Sequence, residues 1–158
     1  MRLTSPAFIH GSPIPSKYGR DFENVNPPLR IEDVPPGVVS LALVMEDPDV
    51  PPQAGVPVWD HWVVFNIPPA VTEIPEGWRP EDVRAGQPAG VRGHGTRGEL
   101  DYGGPRPPDR PHRYFFRVYA LDAILSLAEG ASKQDVLRMM DGHVLASAEL
   151  MGTFAPAP

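Results

Sequence analysis

The chain has twenty-two prolines in 158 residues, yet none falls inside three runs rich in β-branched and aromatic residues: Val38 to Met45 (VVSLALVM), His61 to Ile67 (HWVVFNI) and Arg113 to Leu121 (RYFFRVYAL). Proline lacks a backbone N–H and breaks helix interiors, so regular structure is confined to the segments that prolines bracket. The pairs Pro27-Pro28, Pro35-Pro36, Pro51-Pro52, Pro68-Pro69 and Pro107-Pro108 all lie outside the runs, before the first or between them. The runs are therefore expected to be the central strands of a mainly β domain. The first two are almost continuously apolar, as suits strands covered on both faces, whereas Arg113 and Arg117 give the third a polar-leaning face.

Proline and glycine together approach a quarter of the chain, a level found in disordered segments, but 41% of the residues are hydrophobic and gathered in those runs. Residues 1–158 are expected to form one domain around one core. Helical character is concentrated after Ser132, which can cap with Asp135 three residues later. Val136, Met140, Val144, Ala148 and Met151 recur on one stripe, predicting a helix that runs on through 151, with Gly142 weakening its middle by about 1 kcal/mol relative to alanine. A second, short helix is expected over Pro80 to Ala85.

The absence of cysteine excludes disulfides, thiolate metal sites and thiol nucleophiles. MRLTSPAFIHG carries no apolar leader core and no run is long enough to span a bilayer, so a cytoplasmic location without stable membrane insertion is expected. A net charge of −6 argues against nucleic acid as a partner and gives no general attraction to anionic lipid.

A candidate site follows from strand geometry. If the first two runs pair antiparallel, the end of one and the start of the other share a rim, where Asp47, Asp49 and His61 converge. Antiparallel pairing of the third run to the first brings its start there too, and the i,i+2 spacing of His112 and Tyr114 puts both side chains on one face. Tyr102-Gly103-Gly104-Pro105 is expected to add backbone N–H groups left open by glycine. Imidazoles, a phenol and open amides suit a phosphate or carboxylate; Asp47 and Asp49 can orient the histidines or accept an ammonium. His10, His94 and His143 are read as structural.

Three ordered motifs, Asp47-Pro48-Asp49-Val50-Pro51, Trp59-Asp60-His61-Trp62-Val63-Val64-Phe65-Asn66-Ile67-Pro68 and DYGGPRPPDRPHRYFFRVYALD over 101–122, resemble the phosphatidylethanolamine-binding protein family. They resemble in particular its short bacterial, Raf-kinase-inhibitor-like (YbhB/YbcL-like) branch. The resemblance implies a β-sandwich of antiparallel-rich sheets with a C-terminal helix, and an anion pocket made by Asp47, His61, His112 and Tyr114, with Pro48, Asp49, Trp59, Gly103 and Pro105 lining its rim. It also implies a small anionic or phosphorylated ligand, regulation of a kinase or protease partner, and homodimerisation. Two departures stand out: Arg106 occupies the place of the family's usual cysteine, and the 90–98 loop lacks its usual asparagine.

Two other functions compete. The histidine–aspartate pairs could serve a hydrolase or lyase, or hold a divalent metal, but there is no G-x-S-x-G, H-E-x-x-H or P-loop, so no catalytic residue, metal or cofactor is assigned. A protein-interaction module inhibiting a kinase or serine protease through its proline-rich loops is the remaining alternative.

Overall fold

The computed structural model describes residues 1–84 and 87–158. In chain order its elements are β1 (Arg2–Thr4), β2 (Leu29–Glu32), β3 (Ser40–Asp47), β4 (Trp59–Ile67), β5 (Glu73–Ile74), β6 (Val83–Arg84), β7 (Gln87–Pro88), β8 (Val91–Arg92), β9 (His112–Leu121), α1 (Lys133–Met140) and β10 (Val144–Phe154), with two short 3-10 turns at Ser16–Tyr18 and Pro52–Ala54. The three predicted runs become β3, β4 and β9, and β3 lies between the other two, antiparallel to both. They form the middle of a five-stranded sheet of order β10-β9-β3-β4-β8; β1, β2 and β5 form a second sheet, and β6 and β7 pair as a small ribbon.

Packing on both faces explains why β3 and β4 are nearly all apolar. On one face Leu41, Leu43, Met45, Trp62, Val64, Phe116 and Val118 meet Leu3, Leu29, Ile31 and Ile74 of the second sheet, all buried. On the other, Ala42, Val63, Phe65 and Leu121 are covered by Leu125 and by Val136 and Met140 of α1. Each buried Leu, Ile, Val, Met or Phe among them contributes roughly 1.5–3 kcal/mol on leaving water. The polar face foreseen for β9 is a strip of cross-strand ion pairs: Arg113 with Asp49, and Arg117 with Glu46 and Glu149.

The predicted helix is half right. Ser132 and Asp135 form the expected capping box, but α1 stops at Met140, and Gly142, at φ +79°, turns the chain back into β10 rather than sitting mid-helix. β10 then pairs antiparallel with β9 from Val144↔Leu121 to Phe154↔His112. A spacing of four residues fits both a helical stripe and strand alternation, so Met140, Val144 and Ala148 did not distinguish the two. The decisive set is Ala146, Ala148, Leu150, Gly152 and Phe154, which alternates toward the core. The short helix expected from Pro80 is replaced by a turn at Pro80–Glu81 leading into β6, and Ala85 lies outside the described residues.

Candidate functional site

The C-terminal end of β3 and the N-terminal ends of β4 and β9 meet on one rim, as the antiparallel register requires. Strict alternation along β4 would turn His61 to the same side as Val63 and Phe65, toward α1. A bulge prevents this: Met45 faces Trp62, but the next pair is Glu46 with Asp60, leaving His61 as the extra residue. The bulge re-aims its ring to the side of Tyr114, with centroids 5.3 Å apart in an edge contact. A cavity of about 600 Å³ opens here, and Asp47, Trp59, His61, His112 and Tyr114 all line it.

Hydrogen bonds fix each group. His61 Nδ1 lies 2.6 Å from the Gly103 carbonyl oxygen, and the Gly103 N–H returns a bond to the His61 carbonyl at 3.0 Å. His112, 1% exposed, sits between two carboxylates, with Nδ1 2.7 Å from Asp47 Oδ2 and Nε2 2.8 Å from Asp109 Oδ1. The His112 contact holds the Asp109 carboxyl below the usual carboxylate range. Asp47 Oδ1 also accepts the Asp49 N–H at 2.7 Å, so one carboxylate both closes a turn and anchors a histidine. Tyr114, fully buried as a residue, directs a hydroxyl that makes no well-aligned hydrogen bond among the described residues, although the Asp47 carboxylate and the Arg106 backbone N–H lie close enough to act on it. Burial first and the nearby Asp47 carboxylate second push its phenol upward, which keeps it a neutral donor.

Several expected rim residues have other tasks. Asp49 is not in the cavity wall; Arg113 grips it with Nε at 2.9 Å, Nη2 at 2.8 Å and its backbone N–H at 2.9 Å, and that guanidinium lowers the Asp49 carboxyl to about 2. Pro48 only forms the turn before it. The glycine amides are not open to a ligand: Gly103 N–H bonds His61 and Gly104 N–H bonds Asn24 Oδ1 at 2.7 Å. Glycine is required at 104 by close packing, since a Cβ there would come within 2.3 Å of the Tyr18 carbonyl oxygen. Pro105 lines a neighbouring, mainly apolar cavity of about 280 Å³ instead. His94 and His143 are structural, bonded to the Gly95 carbonyl and to Asp122.

What the motif reading missed, beyond the Arg106 it singled out, is cationic. Arg20, Arg97 and Arg106 line the cavity against only two aspartates, Asp21 and Asp47. Arg20 is held in a two-bond fork by Glu99, Arg97 lies over the Trp59 ring at 5.6 Å, and Arg106 Nε meets Asp21 Oδ2 at 3.0 Å. Arg106 thus forms an Arg–Asp pair at the mouth. Arg20 lies in none of the quoted motifs and reaches the site only through the fold, so its role was not legible. Among the described residues no group of three or more His, Asp or Glu side chains is gathered to hold a metal ion.

His61 carries a testable pH dependence. Burial, assisted by Arg20 and opposed by the Gly103 bond and Asp47, lowers it from 6.5 to about 4. The unfolded chain then takes up the proton more readily than the folded one, so stability is lost as pH falls from 6.5 toward 4, by roughly 2–4 kcal/mol. Urea unfolding of wild type and His61→Gln at pH 7 and pH 4 should show the wild-type advantage shrinking by that amount; an unchanged difference would mean a solvated ring.

Comparison with known proteins points one way. A family model described as phosphatidylethanolamine-binding protein matches residues 4–155. A UPF0098 protein of Chlamydia trachomatis is 47% identical over 155 residues, 98% of each chain, and one from Methanothermobacter thermautotrophicus is 47% identical over 158 residues, again 98% of each. The crystal structure of a putative phosphatidylethanolamine-binding protein homologue from Chlamydia trachomatis superposes with a TM-score of 0.87 at 47% identity, over 96% of this chain and 95% of that one. That of YbcL from Escherichia coli gives 0.86 at 28% identity, over 99% and 98%.

Proposed function

This chain belongs to the phosphatidylethanolamine-binding protein family, and on that premise we propose that it binds a small anion or phospho-headgroup in the rim cavity, as a rigid binding protein rather than an enzyme. The observation that carries this reading is the Tyr114 hydroxyl, buried at the cavity without a well-aligned hydrogen bond among the described residues and close to the Asp47 carboxylate. A buried donor left unpaired costs about 1–3 kcal/mol, a penalty relieved when a ligand oxygen accepts from it. Arg97, stacked on Trp59 and engaged by no carboxylate among the described residues, supplies favourable potential, and the restrained His61 and His112 need little reordering on binding. The same restraint argues against catalysis, since His112 has both ring nitrogens engaged and His61 has one.

Regulation of a kinase or protease partner and a cytoplasmic location are parts of the same proposal. No helix among the described residues is long and apolar enough to cross a membrane. Tyr114→Phe is the direct test. It removes one charge-assisted hydrogen bond and should weaken phosphate binding by at least about tenfold in isothermal titration, with folding stability unchanged or slightly raised. Equal affinity in the two proteins would remove Tyr114 from the site and the chief support for the reading.

A further inference from the structure

The hydrogen-bonding of His61 restricts which anion the cavity accepts, and this rests on the anion-binding reading above. A carbonyl oxygen only accepts, so the 2.6 Å contact between Nδ1 and Gly103 places the ring proton on Nδ1. A neutral ring then turns toward the cavity a bare Nε2, an acceptor. His112 cannot make good the missing donor, because both its nitrogens face carboxylates. Beside Asp47 and the arginines of the rim, the side chains left to meet a ligand include the Tyr114 hydroxyl, a donor, and His61 Nε2, an acceptor.

A fully deprotonated oxyanion, or a diester, presents only oxygens that accept, and one of them would be set against the Nε2 lone pair. An anion that carries its own O–H matches both groups. We propose that the site selects a phosphomonoester in its monoanionic form, the P–OH donating to His61 Nε2 while another phosphoryl oxygen accepts from Tyr114, and that it discriminates against phosphodiesters. The charged groups around His61 are Asp47 on β3, His112 on β9, and Arg20, Glu99 and Arg97 from the flanking loops; the depressed basicity that burial gives the ring keeps Nε2 bare through the neutral range. With a chain charge of −6 giving no pull toward an anionic bilayer, the monoester is that of a soluble molecule.

Methyl phosphate and dimethyl phosphate at pH 5 separate the alternatives, because both then carry one negative charge and differ in the P–OH; the second phosphate pKa is about 6. Isothermal titration should give methyl phosphate at least tenfold tighter binding, falling about tenfold per pH unit well above pH 6 as the ligand loses its proton. In His61→Gln, whose amide offers both donor and acceptor, that preference should collapse toward unity. Imidazole ¹⁵N spectra of the wild type should show His61 protonated on Nδ1 alone at neutral pH. Equal affinity for the two esters, or a proton on Nε2, overturns the proposal. If neither ester binds, the anion-binding reading itself fails. Sedimentation of the protein with phosphatidylcholine vesicles containing a tenth phosphatidic acid, reversed by methyl phosphate, would overturn the soluble source.

Discussion

Replacing Lys133 by methionine is expected to lower folding stability by about 3–5 kcal/mol, the range for removing one partner of a buried ion pair. Lys133 is the first residue of α1, its side chain 7% exposed, and its Nζ lies 2.8 Å from Glu46 Oε2 and within ion-pair distance of Asp60 Oδ1. Burial opposes the charge, but the two carboxylates outweigh it and raise the Lys133 pKa. With methionine, Glu46 keeps Arg117 as a partner, whereas Asp60 Oδ1, which has no well-aligned hydrogen bond even now, is left as a buried uncompensated charge. The double variant Lys133→Met/Asp60→Asn should therefore regain most of the loss in urea unfolding at pH 7. A loss below about 1 kcal/mol in the single variant would show that the network is solvated and that α1 is fixed by Val136 and Met140 alone.

The second large effect concerns the carboxylate behind the site. Asp47→Ala should cost about 3 kcal/mol or more, since it takes the partner from a His112 that is 1% exposed and the acceptor from the Asp49 N–H. Asp109→Ala is the control. Its side chain is 46% exposed, and loss of its bond to His112 should cost clearly less than loss of Asp47. Asp47→Asn, which keeps one acceptor, should fall between. Similar small losses for Asp47→Ala and Asp109→Ala would mean that His112 is held by packing rather than by its buried carboxylate.

Much of this architecture could be read from residue order because the information is local. Proline excluded three runs from loops, and antiparallel pairing of those runs brought Asp47, His61, His112 and Tyr114 to one rim. Ser132 and Asp135 marked the start of α1 for the same reason. The failures are those of non-local geometry. The sequence of β10 reads as helix because a spacing of four is a multiple of the strand period, and its register against β9 resolves the ambiguity. The bulge that turns His61 into the cavity depends on how β3 and β4 pair. Asp49 looked like a ligand residue by its place in the motif, yet Arg113, 64 positions away, engages it. Arg20 and Arg97 entered the site from loops without any motif.

The central claim is a single anion site at the rim of the sheet, and an amide NMR titration of the wild-type protein with inorganic phosphate at pH 6 tests it most directly. The expected result is a saturable set of shifts confined to Asp47, His61, Gly103, His112, Tyr114 and the Arg20 and Arg106 segments, moved to at least about tenfold higher phosphate in Tyr114→Phe. Unchanged spectra at millimolar phosphate, or shifts that map elsewhere and persist in Tyr114→Phe, would contradict it.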